Sequence, residues 1–313
     1  MEHYVTLFDS LFLPQGLALH ASMQRHAGAY TLWVLCMDVR AHEVLSRLSL
    51  PNVRLISLDD AETPDLKRVK PSRTRGEYCW TITPFTPRLV FDRDPSATRV
   101  TYLDADLWFR ACPSSLLEAF AATGKAVQIT EHAYAPDYDL ASTNGKFCVQ
   151  FMTFVRDRSE PVRQWWAERC LEWCFGRLED NKFGDQKYLD DWPDRFASHV
   201  HVLERLEALQ GPWNARVFAP SLAVAYHFHG LRLLGGDRVL TAEKYKLPRA
   251  TRDLLYGPYV QDLAKAVSML RANGHTPLPQ LPGSWWWIAL QERFRRMGAS
   301  LRDAVHPRVV RLR

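Results

Sequence analysis

A mostly parallel α/β sheet flanked by helices is the fold predicted for this chain of 313 residues. Three observations carry that reading. Short runs rich in β-branched and aromatic residues recur along the first half, segments of helical period separate them, and turn residues mark the boundaries. The runs are YVTLF (4–8), TLWVLC (31–36), VRLISL (53–58), RVTYLD (99–104), AVQIT (126–130) and FCVQFMTFV (147–155). Helices are expected near 14–27, 40–48, 79–92 and 114–122. In such sheets ligands bind beyond the carboxyl ends of the strands, so residues that end strands matter most.

The second half continues less regularly. Residues 160–175 carry Trp165, Trp166, Cys170, Leu171, Trp173 and Cys174 at helical spacing, and such a stripe reads as core. FGDQKYLDDWP (183–193), VHVL (200–203), GPWN (211–214) and YHFHG (226–230) follow, with a helix inside KYLDDW and another over 252–272. We divide the chain into a main domain over 1–250 and a C-terminal helical extension over 251–313.

Composition sets the remaining bounds. Hydrophobic residues make up 47% and charged residues 24%, an ordinary globular balance. Forty basic side chains against 35 acidic ones give +5, too little to argue for nucleic acid. Residues 293–313 hold seven arginines and one acid, Asp303, so the excess sits in the tail. Six cysteines do not form a disulfide scaffold. Cys36 and Cys148 read as small hydrophobes, and Cys170 and Cys174 as packing rather than half a metal site. The start MEHYVTLFDS has no charged n-region, and no apolar run reaches the ~18–20 residues of a membrane span. A reduced, cytoplasmic protein is the expectation.

Three Asp-x-Asp spacings occur, and context separates them. Asp92 and Asp94 flank Arg93 ahead of Pro95 and read as a solvated turn; Asp137 and Asp139 sit in a Pro/Tyr loop. Asp104 and Asp106 follow the strand RVTYL directly and precede the apolar LWF. Two carboxylates at a strand end repel each other unless a cation neutralises them, and hard divalent ions take oxygen ligands. Loss of one carboxylate should then relieve repulsion in the metal-free fold. Asp9 ends the first strand, GDQ (184–186) places a carboxylate and a carboxamide before a helix, and His227 and His229 bracket Phe228 on one side of a strand.

These residues carry a resemblance. The chain resembles GT-A fold glycosyltransferases of the nucleotide-diphospho-sugar transferase superfamily, and in layout glycosyltransferase family 8. VTLFDSLFL with Ser22 beyond it, YLDADLWF, FGDQKYLDDW and HFHG stand in the family's order over residues 4–230. EYCWTITP, the GKFCVQFMTF…WWAERCLEWCF run and GPWN resemble a bacterial subgroup associated with surface polysaccharide synthesis. The resemblance implies that Asp104 contacts the nucleotide-sugar and supports the metal, and that Asp106 and His227 ligate manganese or magnesium. It implies that Asp185 and Gln186 face the donor sugar, and that Asp9 and Phe12 contact the donor base. A family lysine six residues after the metal histidine is Leu233 here; Arg232, Lys244 and Lys246 are the alternatives for the phosphate contact. The family's Asn-x-Gly reads Cys148-Val149-Gln150, and Arg73 and Arg75 lie upstream of the acid pair.

The resemblance therefore implies a hexosyltransferase taking a nucleotide-diphosphate sugar, a uridine diphosphate hexose by family default, and a glycan or lipid-linked acceptor, with no nucleic acid. Retention follows the family; an inverting enzyme would need a base, for which Asp185 and Asp190 are the alternatives. The competing readings are a sugar nucleotidyltransferase, which should show a Gly-rich loop near Asp9, and a non-catalytic nucleotide-sugar-binding protein. In the tail, Trp286, Ile288, Ala289, Leu290, Phe294, Met297 and Leu301 can line one helical side opposite Arg293, Arg295, Arg296 and Arg302. That pattern suits peripheral contact with the inner face of a membrane.

Overall fold

The computed structural model describes residues 1–235, 237–242, 245–280 and 309–312. The strands are β1 (Glu2–Phe8), β2 (Tyr30–Cys36), β3 (Val53–Ser57), β4 (Arg99–Leu103), β5 (Leu107–Phe109), β6 (Val127–Glu131) and β7 (Phe147–Val155). β8 (Val200–Val202), β9 (Leu209–Gln210), β10 (Ala225–His227), β11 (Arg232–Gly235), β12 (Arg238–Leu240) and β13 (Val309–Arg311) follow. Seven form the main sheet in the order β3-β2-β1-β4-β7-β6-β8. β1 pairs parallel with β2 and β4, β2 with β3, and β6 with β8; β7 alone runs antiparallel to its neighbours. The expected mostly parallel sheet is the sheet observed.

Alternation along the central strands builds two cores. On β1, Tyr4 and Phe8 face one side with Leu32, Val34 and Cys36 of β2. Val5 and Leu7 face the other with Trp33 and Leu35. Helix Leu13–His26 covers the first face. Helices Arg75–Ile82, Thr86–Arg93 and Glu160–Glu172 cover the second. Cys170 and Cys174 are buried in that core, and all six cysteines are free.

Three local readings need correction. The single helix expected over 79–92 is two helices, Arg75–Ile82 and Thr86–Arg93, joined by a 3₁₀ turn Thr83–Phe85. Pro84 and Pro87 cannot donate within a helix and fit only its first turn, so each marks a new start. The first helix begins earlier than expected because Thr74 and Glu77 close a capping box. KYLDDW is 3₁₀ over Lys187–Asp191, with Pro193 opening a short helix Trp192–Arg195. Asp94 does not sit in a solvated turn: it is buried, accepts from Ser96 and pairs with Arg54 at 3.0 Å.

The C-terminal segment docks on helix Leu13–His26 and on a small three-stranded sheet, β5-β10-β9. Helix Gly257–Ala272 continues from a π turn, Arg252–Tyr256, and packs Tyr259 and Leu263 against Trp108, Tyr226 and Phe228. Buried Asp262 ties it down, accepting from Trp108 Nε1 at 2.8 Å and from Arg25. β11, β12 and β13 form a separate antiparallel sheet. The tryptophan-rich stretch of the tail and Lys244 lie outside the described residues. Among the described residues no helix is long and apolar enough to cross a membrane.

Gly16 shows how tightly the first helix approaches β1. A Cβ there would stand 2.4–2.9 Å from three atoms of the Phe8 ring. In an open helix Gly→Ala gains about 1 kcal/mol, whereas forced overpacking costs about 1–3. Gly16→Ala is therefore expected to lower the melting temperature, as thermal denaturation of the two proteins will show; a rise would mean that Phe8 moves freely.

Candidate active site

One edge of the main sheet gathers the chemistry. Where β1, β4 and β6 end and the antiparallel β7 begins, an open cleft of about 640 Å³ is lined by Asp9, Phe12, Asp104, Asp106, Asp185, Gln186, His227 and Arg232. All eight residues singled out in the sequence thus border one cavity. Asp190, the other base considered, is not among them: its carboxylate accepts from the Lys146 N–H at 2.7 Å and pairs with Lys187.

Asp9 is held by the turn after β1. Its Oδ1 accepts from the Leu11 N–H at 3.0 Å, and its Oδ2 takes Arg75 Nη1 at 3.1 Å across the cleft mouth. The Phe12 N–H closes on the Asp9 carbonyl at 3.0 Å, starting the first helix. Arg75 thus joins the site from the helix before the acid pair, where the sequence showed only a loose match.

The acid pair sits on a turn between β4 and β5. The Asp104 N–H donates to the Gln150 carbonyl at 3.1 Å, and the Leu107 N–H closes the turn on the Asp104 carbonyl. Tyr102 donates its hydroxyl to Asp104 Oδ1 at 2.9 Å. β10 pairs antiparallel with β5, so His227 lies opposite Leu107, and the Phe228 N–H donates to the Asp106 carbonyl at 2.9 Å. That register brings His227 Nε2 to 3.0 Å from Asp106 and 3.7 Å from Asp104.

The other imidazole nitrogen is fixed from below. His227 Nδ1 lies 3.1 Å from Oε1 of Gln150, a fully buried side chain on β7. An amide oxygen can only accept, so Nδ1 carries a proton and Nε2 faces the carboxylates. Gln150 occupies a place where the family pattern has another residue, and its neighbour's identity gave no hint of this contact. A buried amide on a different sheet from the late histidine leaves no spacing signal.

Asp185 comes from the opposite wall. Gly184, at φ +53, turns the chain beneath Trp80, and Trp166 Nε1 donates to the Asp185 carbonyl at 2.8 Å. The tryptophan stripe read as core therefore also anchors the GDQ segment. Gln186 Nε2 donates to the Asn144 carbonyl at 2.7 Å, which fixes the amide plane at the cleft wall.

The charges of this cluster explain one another. Burial alone would raise Asp106, but the charge and hydrogen bond of His227 outweigh it and bring the carboxyl to about 2. Burial alone would lower His227, but Asp106, with Cys148 and Asp104 adding, holds it well above the ordinary imidazole value. Burial and then neighbouring Asp104 hold Asp185 well above the carboxylate range. Burial raises Asp104 too, with Asp106 adding and His227 opposing.

Two carboxylates and an imidazole match the ligand types of manganese and magnesium sites, oxygen first with one nitrogen tolerated. The donor set therefore fits the implied ion by its chemistry. As they stand the side chains satisfy one another, and among the described residues no group of three His, Cys, Asp or Glu side chains is arranged about a single ion.

Comparison with known proteins places this architecture. No family model matches the chain. YfnF of Bacillus subtilis (strain 168) is 30% identical over 255 residues, covering 75% of this chain and 84% of its own. The chain belongs to the YfnF family. YfnD of the same organism is 26% identical over 303 residues, covering 90% of this chain and 96% of its own. Both relatives are described as uncharacterized, so membership brings no reaction with it. Among solved structures, the WbbM bifunctional glycosyltransferase superposes with a TM-score of 0.54 at 15% identity, over 88% of this chain. The match covers 51% of WbbM, so this chain spans about half of that protein. The likeness shows the fold: the GT-A type of sheet expected from the sequence is the one adopted by this YfnF relative.

The shifts set a pH dependence with a definite sign. His227 is raised, so its contribution is fully present below the unfolded value of 6.5 and lost as pH rises through its folded value. Asp106 is lowered, so its contribution is present above 3.8 and lost as pH falls towards 2. The pair therefore stabilises between those limits, and Asp106→Asn should lower the melting temperature most near pH 5–6, reversing the expectation that losing a carboxylate relieves the fold. Asp185 acts oppositely: its folded value is raised, so stability falls as pH climbs past 3.8. In metal-free protein Asp185→Asn should raise the melting temperature by a few degrees at pH 7.5 and leave it unchanged at pH 3.5. Equal shifts at both pH values would refute a charged-state origin.

Proposed function

We propose that this protein is a metal-dependent glycosyltransferase. It moves a sugar from a nucleotide diphosphate, a uridine diphosphate hexose by family resemblance, to a glycan or lipid-linked acceptor in bacterial surface polysaccharide synthesis. The observation that carries the reading is the meeting of Asp104, Asp106, His227 and Asp185 in one cleft at the carboxyl edge of a glycosyltransferase-type sheet.

Asp106 and His227, with Asp104 beside them, are the residues that would hold manganese or magnesium. When bound, the ion supplies Lewis-acid stabilisation of the departing diphosphate, worth several kcal/mol in such sites. The chain's own groups do the rest. Gln150 keeps the proton on Nδ1 of His227, so Nε2, which here contacts Asp106, is the nitrogen that would ligate the ion once its own proton leaves. Arg232 adds a positive charge near Asp106, and Asp9 with Phe12 and Arg75 offers polar and apolar contacts to a nucleoside at the β1 end. Asp185 and Gln186 face the cleft from the opposite wall, where the sugar ring would lie. The bond between anomeric carbon and diphosphate breaks, the acceptor oxygen bonds to that carbon, and the hydroxyl proton passes to a leaving phosphate oxygen. With the acceptor attacking on the face that the diphosphate leaves, the product keeps the donor's anomeric configuration, as the family 8 resemblance implies.

A thermal-shift screen of sugar nucleotides with and without manganese tests the donor half. A ligand that binds only the folded state raises its stability by mass action, so the true donor should lift the melting temperature in a manganese-dependent way. Asp106→Ala should abolish turnover of that donor, while Asp92→Ala and Asp137→Ala, outside the cleft, should leave it intact. Turnover retained in Asp106→Ala would remove the metal assignment, and binding without any hydrolysis or transfer would leave a sensor.

The second expectation separates binding from chemistry. Gln186→Ala should lower kcat on the order of 10²-fold, the size of a positioned catalytic group, with KM for the donor nearly unchanged. Steady-state kinetics of that variant decide it; an unchanged kcat takes Gln186 out of the reaction.

A further inference from the structure

The cleft has a second end that the donor and metal residues do not use. Along the carboxyl edge of the sheet the order is β1, β4, β7, β6. Asp9 follows β1, Asp104 follows β4, and His132 and Tyr134 follow β6. Three strand spacings of ~4.8 Å separate β1 from β6, so the two ends lie roughly 14 Å apart. The acid pair stands between them.

Rings dominate the β6 end. His132 and Tyr134 stack with centroids 4.5 Å apart and planes 13° from parallel. Trp213 meets His132 edge-on at 5.1 Å and His227 at 5.3 Å. Tyr245 is edge-on to Tyr138 at 5.1 Å and to His229 at 6.3 Å. Tyr134, Trp213 and Tyr245 line the same cavity as the acid pair.

The wall is built, not incidental. Ala133 holds φ +47 between the two stacked rings, a left-handed conformation that a residue with a Cβ adopts at a cost. The GPWN turn supplies the tryptophan. A Cβ at Gly211 would stand 2.5 Å from the Trp213 ring, so only glycine lets the indole fold back. Trp213 Nε1 and Asn214 Nδ2 both donate to the His132 carbonyl, at 2.8 and 2.9 Å, and lock the turn to β6.

Its polarity selects the ligand. Burial keeps the His132 imidazole neutral, down to about 3. Tyr134 and Tyr245 are half-buried, and among the described residues neither hydroxyl has a protein hydrogen-bond partner. Ring faces edged by unengaged hydroxyls suit a ligand with an apolar C–H face and a polar rim, because C–H groups lie against the negative face of the ring. A pyranose has that shape. A hydrocarbon chain would leave both hydroxyls unpaired, and the four rings themselves carry no charge to meet a charged ligand.

We infer that the wall formed by His132, Tyr134, Trp213 and Tyr245 is the acceptor subsite and that it takes a neutral sugar ring. This rests on reading the cleft as a site of glycosyl transfer. The test uses the full chain without donor or metal, so that it reads this wall alone. Saturation-transfer NMR is recorded with methyl glucoside, galactoside, mannoside and N-acetylglucosaminide, and with cyclohexanol as an apolar ring of similar size. At least one glycoside should receive saturation, reduced at least fivefold in Tyr134→Ala and in Tyr245→Ala. Tyr134→Leu, which keeps side-chain bulk but removes the ring, should show the same loss if the alanine variant folds poorly. No saturation of any glycoside, equal saturation in the folded variants, or cyclohexanol binding as well as the sugars would overturn the proposal. Failure of the donor reading shows separately, as sugar nucleotides that do not raise the melting temperature.

Discussion

The contact between His227 and Asp106 is the constraint on which the rest of the site depends. It joins the end of β10 to the turn between β4 and β5, and Gln150 of β7 closes it from below. Two strand pairings fix its geometry: β10 with β5, and β4 with β7. Ions in such a place lose hydration, and removing one partner of a buried pair costs about 3–5 kcal/mol because the other is left without its counter-charge. The backbone around the turn must therefore hold. The donations from Asp104 to Gln150 and from Phe228 to Asp106 are the bonds that hold it. The same four residues set the register of the small sheet and the position of the ligand atoms.

That coupling makes the centre of the cleft legible in the sequence. Asp104 and Asp106 could be told from the other acid pairs because they end a strand whose hydrophobic run gives its direction. His227 is placed beside them by the family resemblance, which sets a late histidine on the metal. Strand ends are local properties, set by alternation over four or five residues. Gln150 and the partnership of Arg75 with Asp9 were not legible, because both depend on which strands and helices become neighbours. Helix boundaries failed at Pro84 and Pro87 for a smaller reason: helical period continued through them, and only the missing N–H groups broke the helix. Asp94 was misread because its partners, Ser96 and Arg54, are the ones that make a buried carboxylate tolerable.

The tryptophan-rich helix shows a core residue and a site residue sharing one side chain. Trp166 is buried among Phe154 and Trp192, which satisfies the reading of its stripe as packing. Its indole N–H still needs an acceptor, since an unpaired buried donor costs about 1–3 kcal/mol. The acceptor it finds is the carbonyl of Asp185. The position of the GDQ segment is thus set by the polar requirement of an otherwise apolar core. Gly184 completes the arrangement by adopting a positive φ beneath Trp80.

Several costs of this fold fall on one edge. Asp185 is a carboxyl buried next to Asp104, Ala133 sits in the left-handed region, and Gly211 accepts an indole where a side chain would stand. Each is unfavourable locally, and each borders the same cleft or holds its wall. Elsewhere among the described residues the left-handed positions other than glycine are Ser49, Asn52, Asp157, Asp180, Asn181 and Asp237, short polar side chains that reach this region more readily than alanine. Strain of this kind persists only when surrounding structure over-determines it, and here two cores and the docked helix Gly257–Ala272 supply the surplus. The excess of carboxylate over imidazole in the centre has the same logic. Three carboxyls share this centre with one histidine and the nearby Arg232, and the burial and crowding that hold Asp104 and Asp185 above the ordinary carboxylate range are what a divalent cation would relieve.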